Sequence, residues 1–285
     1  MIKMNRKKFE EQFFRVLMSF VTASIIFVLV YIFYIILKKG LPSLSWDMVS
    51  RLPEGGYYFG KEGGILNAII GSFYISVSAT FLAFVIGLPV ALYMNVYLVR
   101  RPKFLTMTRF VLDALWGVPS IVYGAFGFTI MIYFGLRTSL LAGIIAVTLL
   151  IIPIMIRAMD EVLRTIPKGL MEASLALGST KTETAFKVFF KQALPGFITA
   201  ILLSFGRGIG DAASVLFTAG FTDHIPEKLT DPVATLPLAI FFQLGSPIPE
   251  VRERAYAAAV ILIAIVFTIS LSARLLSKKF KKHQV

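Results

Sequence analysis

Long apolar runs alternate with short polar intervals along the chain. A helix needs about 20 predominantly apolar residues to cross the hydrocarbon core of a membrane, and six runs approach or exceed that length. We therefore predict an all-α, polytopic membrane protein with six transmembrane helices in a single membrane domain, residues 1–285. The predicted spans are residues 16–37, 67–99, 110–134, 139–156, 196–217 and 256–276.

Four of these runs carry further signals. The first is too long for the core of a signal peptide and is followed by no small-residue cleavage site, which indicates an uncleaved span. The second is too long for a straight crossing, so we expect Pro89 to kink it or to mark where it leaves the hydrocarbon. Pro119 interrupts the third run, and the fourth, with 18 residues, is barely long enough.

The longest charged interval between two spans, residues 157–195, predicts two short helices joined at Gly178. Pro167 suits the entry to the first helix, and Ser179 and Thr180 follow the glycine as candidate N-caps of the second. Two interpretations stay open for this hairpin. It is an ordinary solvated loop, or it is a docking element for a soluble partner.

Lysine and arginine are distributed unequally between the two sides of the predicted membrane. With the N-terminus inside, 20 of the 29 basic residues fall on the inner side, 8 fall on the outer side, and Arg207 lies inside the fifth run. Cytoplasmic loops carry an excess of basic residues. Both termini and the interval 157–195 are therefore expected in the cytoplasm.

Two segments on the opposite side lack a spanning pattern. Residues 38–64 are rich in glycine and proline, which predicts an irregular loop with a short interfacial helix around Trp46. Residues 232–243 form an apolar piece of about a dozen residues, too short to span a bilayer. We expect this piece to lie in the outer interface or to cap the bundle.

The composition excludes several classes of protein. Hydrophobic residues make up 57% of the chain and charged residues only 16%, which is too apolar for a soluble core. The net charge of +13 is explained by membrane lipids with anionic headgroups rather than by nucleic acid, because the basic residues cluster between apolar runs. With no cysteine and two histidines, a thiolate or histidine metal centre is not expected.

Motifs of nucleotide binding and hydrolysis are absent from the sequence. It contains no GxxxxGK[ST], no HExxH and no GxSxG. We therefore expect a transport subunit rather than an enzyme, with no cofactor of its own. An ATP-driven machine built on this chain would need a separate ATPase subunit to bind the ATP.

Arg207 and Asp211 are the sharpest chemical feature of the sequence. Arg207 lies near the middle of the predicted fifth span, where a lone arginine costs about 2.5–3.5 kcal/mol, and Asp211 is one turn further along the same face. One interpretation is an internal salt bridge. The other is a cationic station on an anion path, because an oxyanion that sheds water needs charge-assisted donors. The neighbouring glycines 206, 208 and 210 indicate close helix contact, not dinucleotide binding.

Small residues also break up the third run. Gly117, Pro119, Gly124 and Gly127 loosen its helix, and Ser120 places a hydroxyl near the break. On the residues alone, helix packing through small side chains is the favoured interpretation, while Gly117, Pro119 and Ser120 remain candidates for the substrate path. Asp113 is expected to pair with Arg109, one turn earlier, near the cytoplasmic mouth.

The pattern Glu172-Ala173-Ser174, Gly178 and Leu194-Pro195 resembles the EAA loop of ABC importer permeases, the element that this family inserts into its ATPase. Ser174 stands where that loop usually has a second alanine. Several further stretches, in order from about residue 63 to 243, are similar to the permease subunits of bacterial phosphate ABC importers, and closest to the second-permease type. They are GGILNAIIGSFYIS, GLPVALYMNVYL, DALWGVPSIVYGAFGF, ALPGFITAILLSFGRGIGDAASVLFTAG and ATLPLAIF.

This resemblance implies a type I ABC importer permease fold in a bacterial plasma membrane. It implies a homologous second permease, two ATPase subunits and an extracytoplasmic phosphate-binding protein as partners. The residues that match the coupling loop are Glu172, Ala173, Gly178, Leu194 and Pro195. Arg207 and Asp211 fall in GRGIGD, which matches a family motif that usually ends in glutamate. Together with residues 117, 119 and 120, they are the candidates for the substrate path.

Two alternatives to phosphate import stay open on the sequence. The first alternative is a permease for sulfate, molybdate or phosphonate, because a single arginine does not discriminate among oxyanions. The second is an ATP-independent anion transporter, in which the hairpin is only a loop.

Overall fold

The computed structural model describes residues 6–54 and 62–281. Within these ranges the chain forms eleven α-helices and one antiparallel pair of two-residue strands, β1 (Pro53–Glu54) and β2 (Glu62–Gly63). The helices are α1 (Arg6–Gly40), α2 (Trp46–Ser50), α3 (Leu66–Val96), α4 (Pro102–Trp116), α5 (Ser120–Tyr133), α6 (Leu140–Arg164), α7 (Lys168–Ala176), α8 (Lys181–Glu183), α9 (Phe190–Ile209), α10 (Leu236–Leu244) and α11 (Pro249–Lys281). The all-α prediction is confirmed.

Five helices, α1, α3, α6, α9 and α11, are long and apolar enough to cross a membrane. The bent pair α4 and α5 gives a sixth crossing if the two helices are taken as one broken span. The short helix α2 begins at Trp46, where the sequence predicts an interfacial helix, and the hydroxyl of Ser45 caps it by accepting from the N–H of Met48.

The central helix is α6. Of its most apolar stretch 72% is buried, and α3, α9, α4 and α5 all contact it. A Cβ at Gly87 of α3 would lie 3.2 Å from the side chain of Ile156, and one at Gly208 of α9 would lie 3.2 Å from Val147. These glycines therefore let α3 and α9 approach α6 closely.

The helix α1 lies outside the bundle and packs against α11. None of its most apolar stretch is buried. The two helices approach each other closely at Gly40, where an added Cβ would lie 2.5 Å from the carbonyl oxygen of Tyr256. A helix that is apolar all round and exposed on most faces belongs in hydrocarbon, so lipid is the natural surrounding of α1.

The expected third span, residues 110–134, is not one helix. The chain bends by 90° between α4, which ends at Trp116, and α5, which begins at Ser120. Pro119 has no N–H to donate and disfavours helical backbone at the residue before it, and its own ψ of 136° turns the chain into α5. The proline therefore breaks the span instead of merely loosening it.

The expected fifth span, residues 196–217, is also corrected. Helix α9 begins at Phe190 and ends at Ile209, and residues 210–235 form an irregular chain of turns. Three glycines in five positions weaken the last turn of α9, because glycine costs about 1 kcal/mol relative to alanine in a helix. Asp211 then stabilises a turn, since its Oδ2 accepts a hydrogen bond of 2.8 Å from the N–H of Ser214.

This irregular segment is packed inside the bundle. A Cβ at Gly124 of α5 would lie 2.7 Å from the carbonyl oxygen of Ala213, and one at Gly143 of α6 would lie 3.1 Å from Cβ of Ala219. Gly124 of the third run thus makes room for backbone, which confirms the packing interpretation for this residue. The segment leads into α10, whose Leu236, Leu238 and Ala239 are buried.

The polar interval 157–195 contains less loop than the sequence predicts. Helix α6 continues through Arg157 and Asp160 to Arg164, and α9 starts at Phe190. Between these two long helices, residues 165–189 include α7, α8 and a π-helical turn, Thr184–Phe189, whose Ala185 and Phe189 are buried in the core. Charges can remain in α6 because partners on other helices neutralise them, as described below.

Candidate functional sites

Arg207 and Asp211 form an ion pair at the end of α9. Nη1 of Arg207 donates to Oδ1 of Asp211 over 2.7 Å, and the side chain of Asp211 is only 4% exposed whereas that of Arg207 is 42% exposed. The buried carboxylate is satisfied on both oxygens, since its Oδ2 accepts from Ser214. Its two roles are to close the turn and to hold the arginine.

The guanidinium of Arg207 retains unused donors. A guanidinium carries five N–H groups, and among the described residues it donates to Asp211 alone. Because the carboxylate is buried and the guanidinium is half-exposed, the free N–H groups face away from the core. This arrangement can bind an oxyanion weakly without breaking the ion pair.

The structure does not join the other candidates of the substrate path to this arginine. Gly117 and Pro119 are exposed at the bend between α4 and α5, and Ser120 is half-buried there. No hydrogen bond or ion pair between described residues connects Ser120 with Arg207. The link is indirect, through Gly124, which packs on the turn that Asp211 closes.

A second charged cluster, which is not among the sequence predictions, lies where α3, α4 and α6 meet. Asp160 is fully buried and accepts from Nε and Nη2 of Arg109 (2.9 and 2.8 Å), from Nη1 of Arg157 (2.8 Å) and from Nδ2 of Asn95 (2.9 Å). The expected pair of Arg109 with Asp113 is wrong. Asp113 instead accepts from Nε of Arg157 over 2.5 Å.

Hydrogen bonds offset the cost of burying the charges of this cluster. Asp160 has four donors for its two oxygens, and Arg157 also lies 4.0 Å from the exposed carboxylate of Glu161. The sequence signal is the spacing of Arg157 and Asp160 on one helix face. It gives no indication that Arg109 and Asn95, far away in the chain, complete the set.

The hairpin has the predicted architecture of helix, glycine and helix. Gly178 has φ +85°, and a Cβ there would meet nothing within 4 Å, so the position requires glycine for its backbone conformation and not for space. Thr180 caps α8 in a capping box with Glu183. Hydrogen bonds from Thr180 and the nearby ammonium of Lys187 lower the pKa of Glu183, in the polar hairpin, to about 2.

The contacts of Ser174 show what a serine contributes where the EAA loop usually has a second alanine. Its hydroxyl is buried and lies 2.9 Å from Oγ1 of Thr184, which itself donates to the carbonyl oxygen of Thr180. The hydroxyl pair ties α7 to the start of the π-helical turn. A second alanine at position 174 could not make this bond.

The first helix and the glycine of the hairpin are exposed, while its second helix contacts the end of α3. Glu172, Ala173 and Gly178 are exposed, and Leu177 is 87% exposed. In α8, Oγ1 of Thr182 lies 2.8 Å from the hydroxyl of Tyr97, the residue that follows α3. A single exposed leucine is common on protein surfaces, so what makes this tip a candidate docking surface is its defined conformation of helix, glycine and helix.

Leu194 and Pro195 lie apart from this tip. Both are inside α9, where Leu194 is exposed and Pro195 half-buried. They are on a different helix from Glu172 and Ala173. The residues predicted to couple to the ATPase are therefore divided between the hairpin and α9.

Comparison with known proteins identifies one family, and the similar proteins are transport permeases. Residues 83–282 match the family model described as "Binding-protein-dependent transport system inner membrane component". The chain is 32% identical over 262 residues to the phosphate transport system permease protein PstA of Haemophilus influenzae, covering 90% of each chain. It is 35% identical over 266 residues to the phosphate transport system permease protein PstA 1 of Mycobacterium tuberculosis (strain ATCC 25618 / H37Rv), covering 90% of this chain and 83% of that protein.

The fold also has solved counterparts. An inward-facing structure of the MetNI methionine ABC transporter superimposes with a TM-score of 0.63 at 21% identity, covering 75% of this chain and 95% of that chain. At this level of identity the likeness concerns the fold alone.

Proposed function

This chain belongs to the family of binding-protein-dependent transport system inner membrane components, and on that premise we propose that it is the permease subunit of an ATP-driven importer of inorganic phosphate. It has the type I ABC importer permease fold. The observation that supports phosphate as the substrate is the identity of 32–35% to phosphate transport permeases over 90% of the chain.

The geometry at Arg207 supports an anionic substrate. A half-exposed guanidinium with free donors, held by a buried carboxylate, provides one weak binding station. Conduction requires binding strong enough for entry and weak enough for release. A single arginine per chain meets that requirement better than a closed cage would.

The hairpin supports a separate motor. In this proposal the exposed tip around Leu177 docks on one of two ATPase subunits, which bind the ATP, and a homologous second permease completes the membrane path. A phosphate-binding protein outside the membrane delivers the anion. The excess of basic residues around the hairpin supports a cytoplasmic position for it and for both termini.

Uptake measurements on the purified complex in proteoliposomes test this function. We expect accumulation of labelled phosphate to require ATP on the side of the membrane where the hairpin lies. It should persist when ion gradients are collapsed. Uptake driven by an ion gradient without ATP would support the ATP-independent transporter instead. Excess sulfate or molybdate should not compete, and equal competition would point to a different oxyanion.

A further inference from the structure

A basic cleft lies between the end of α1 and the start of α11. Its volume is about 430 Å³, and its lining includes Lys38 and Lys39 of α1 and Arg252, Glu253 and Tyr256 of α11. Three cationic side chains thus face one carboxylate. None of the three cations lies within ion-pairing distance of a carboxylate among the described side chains.

Aromatic rings support the two lysines. The ammonium of Lys38 lies 5.6 Å from the centre of the Tyr34 ring, and that of Lys39 lies 5.0 Å from the centre of the Tyr256 ring. Cation–π contacts of this kind orient an ammonium without neutralising it. The positive charge of the cleft is therefore available to a ligand.

The cleft is placed at the boundary of the membrane. Lys38 and Lys39 directly follow the apolar run 16–37, and Arg252 precedes the apolar run 256–276. The tyrosines lie at the same level, as aromatic residues do at membrane–water interfaces. A ligand in the cleft would be at the depth of lipid headgroups.

An apolar groove adjoins the cleft on the membrane side. It is lined by Leu44, Phe73 and one face of α11 from Val260 to Ile269. The two cavities are neighbours, because Leu44 follows Ser43 of the cleft and Val260 is one turn beyond Tyr256. A headgroup in the cleft could therefore place an acyl chain in the groove.

We propose that this cleft binds the phosphate group of an anionic phospholipid. Lysine and arginine recognise phosphate oxygens through charge-assisted hydrogen bonds, and the adjoining apolar groove distinguishes a lipid from free phosphate. The site is separate from Arg207 and does not depend on the transported substrate. In the orientation proposed above, the end of α1 faces the outside, so the lipid would belong to the outer leaflet, and only this choice of leaflet rests on the proposed function.

Native mass spectrometry of the full-length chain with its copurifying subunits tests the proposal. The probes are phosphatidylglycerol and phosphatidylcholine, each titrated in detergent. The triple variant Lys38→Gln, Lys39→Gln, Arg252→Gln should lose affinity for phosphatidylglycerol by about 100-fold, since each basic residue near an anionic lipid contributes roughly a factor of five. A matched triple variant, Arg51→Gln, Arg137→Gln, Lys228→Gln, removes the same charge at that end of the bundle and should change affinity less than about threefold.

Two single variants separate recognition from damage to the fold. Glu253→Gln removes the one carboxylate in the cleft, so phosphatidylglycerol should bind about fivefold more tightly, which misfolding cannot produce. Ala264→Trp fills the apolar groove and should weaken the lipid while leaving the charges in place. Equal loss in both triple variants, or weaker binding in Glu253→Gln, would overturn the site.

Competition with inorganic phosphate shows whether the cleft binds the phosphate group of a lipid or free phosphate. At millimolar concentration it should displace little phosphatidylglycerol, because it gains nothing from the groove, and phosphatidylcholine should bind at least about tenfold more weakly than phosphatidylglycerol. Displacement of the lipid by phosphate, with no effect of Ala264→Trp, would show a free-phosphate site instead. Phosphate uptake is not a readout here, so failure of this site leaves the proposed function untouched.

Discussion

At the scale of single residues, the ion pair of Arg207 and Asp211 allows its two interpretations to be separated. Arg207→Gln leaves the buried carboxylate of Asp211 without its partner, and breaking a buried pair can cost about 3–5 kcal/mol. We expect this variant to lose phosphate uptake and part of its complex yield. The measurements are labelled-phosphate uptake and the yield of assembled complex.

The double variant Arg207→Gln, Asp211→Asn is the informative control. It removes both charges together, and the asparagine Oδ1 can still accept from the N–H of Ser214. We expect complex yield near that of the wild type with uptake still absent, because the anion has lost its donor. Recovery of uptake in the double variant would show that the pair is only structural.

Asp160 is the residue on which the cluster of α3, α4 and α6 depends. Asp160→Asn leaves Arg109 and Arg157 partly buried with one carboxylate fewer, and we expect a loss of about 3–5 kcal/mol in the free energy of unfolding. The matched variant Asp113→Asn changes a carboxylate whose side chain is 49% exposed, and it should cost about 0–1 kcal/mol. Thermal unfolding of the purified protein in detergent gives both values, and similar losses for the two variants would contradict the network.

At the scale of elements, the hairpin depends on the backbone of Gly178. Because φ is +85° and no atom crowds the position, Gly178→Val should strain the turn by about 1–2 kcal/mol and weaken retention of the ATPase during copurification. Gly178→Asn is the control, since asparagine tolerates positive φ, and it should retain the partner. Equal retention in both variants would argue against a docking role for the hairpin conformation.

At the scale of the whole molecule, the two ends of α3 define opposite faces of the bundle. At the end of α3, Tyr97 bonds to Thr182 of the hairpin. Near the start of α3, Ser72 accepts from the N–H of Leu236 at the beginning of α10. A helix of 31 residues is about 46 Å long. We therefore expect the hairpin and the α10 region on opposite sides of a membrane.

Cysteine labelling tests this topology in a chain that has no cysteine of its own. A cysteine at Ser179, next to the hairpin glycine, should react with membrane-impermeant thiol reagents from the cytoplasmic side only. A cysteine at Ser246, between α10 and α11, should react from the outside only. Reaction of both from the same side would overturn the six-span arrangement.

The sequence by itself determined the features that depend on local preference. Apolar runs of membrane length gave the helices, and Pro167, Gly178 and Thr180 gave the hairpin its entry, turn and cap. The ordered motifs gave the family, since 32–35% identity to its relatives extends over 90% of the chain. Each of these follows from neighbours in sequence, which is why a linear pattern predicts them.

Only the tertiary structure decided which apolar surface is inside and which charges meet. The most apolar stretches of α1 and α6 have nearly equal hydropathy, yet none of the first and 72% of the second is buried, because lipid and protein interior are equally apolar surroundings. The partner of Arg109 is Asp160 and not Asp113. The cleft that contains Lys38 and Arg252 brings together the end of the first helix and the start of the last. Such contacts depend on how helices distant in sequence pack, and no spacing along the chain specifies that packing.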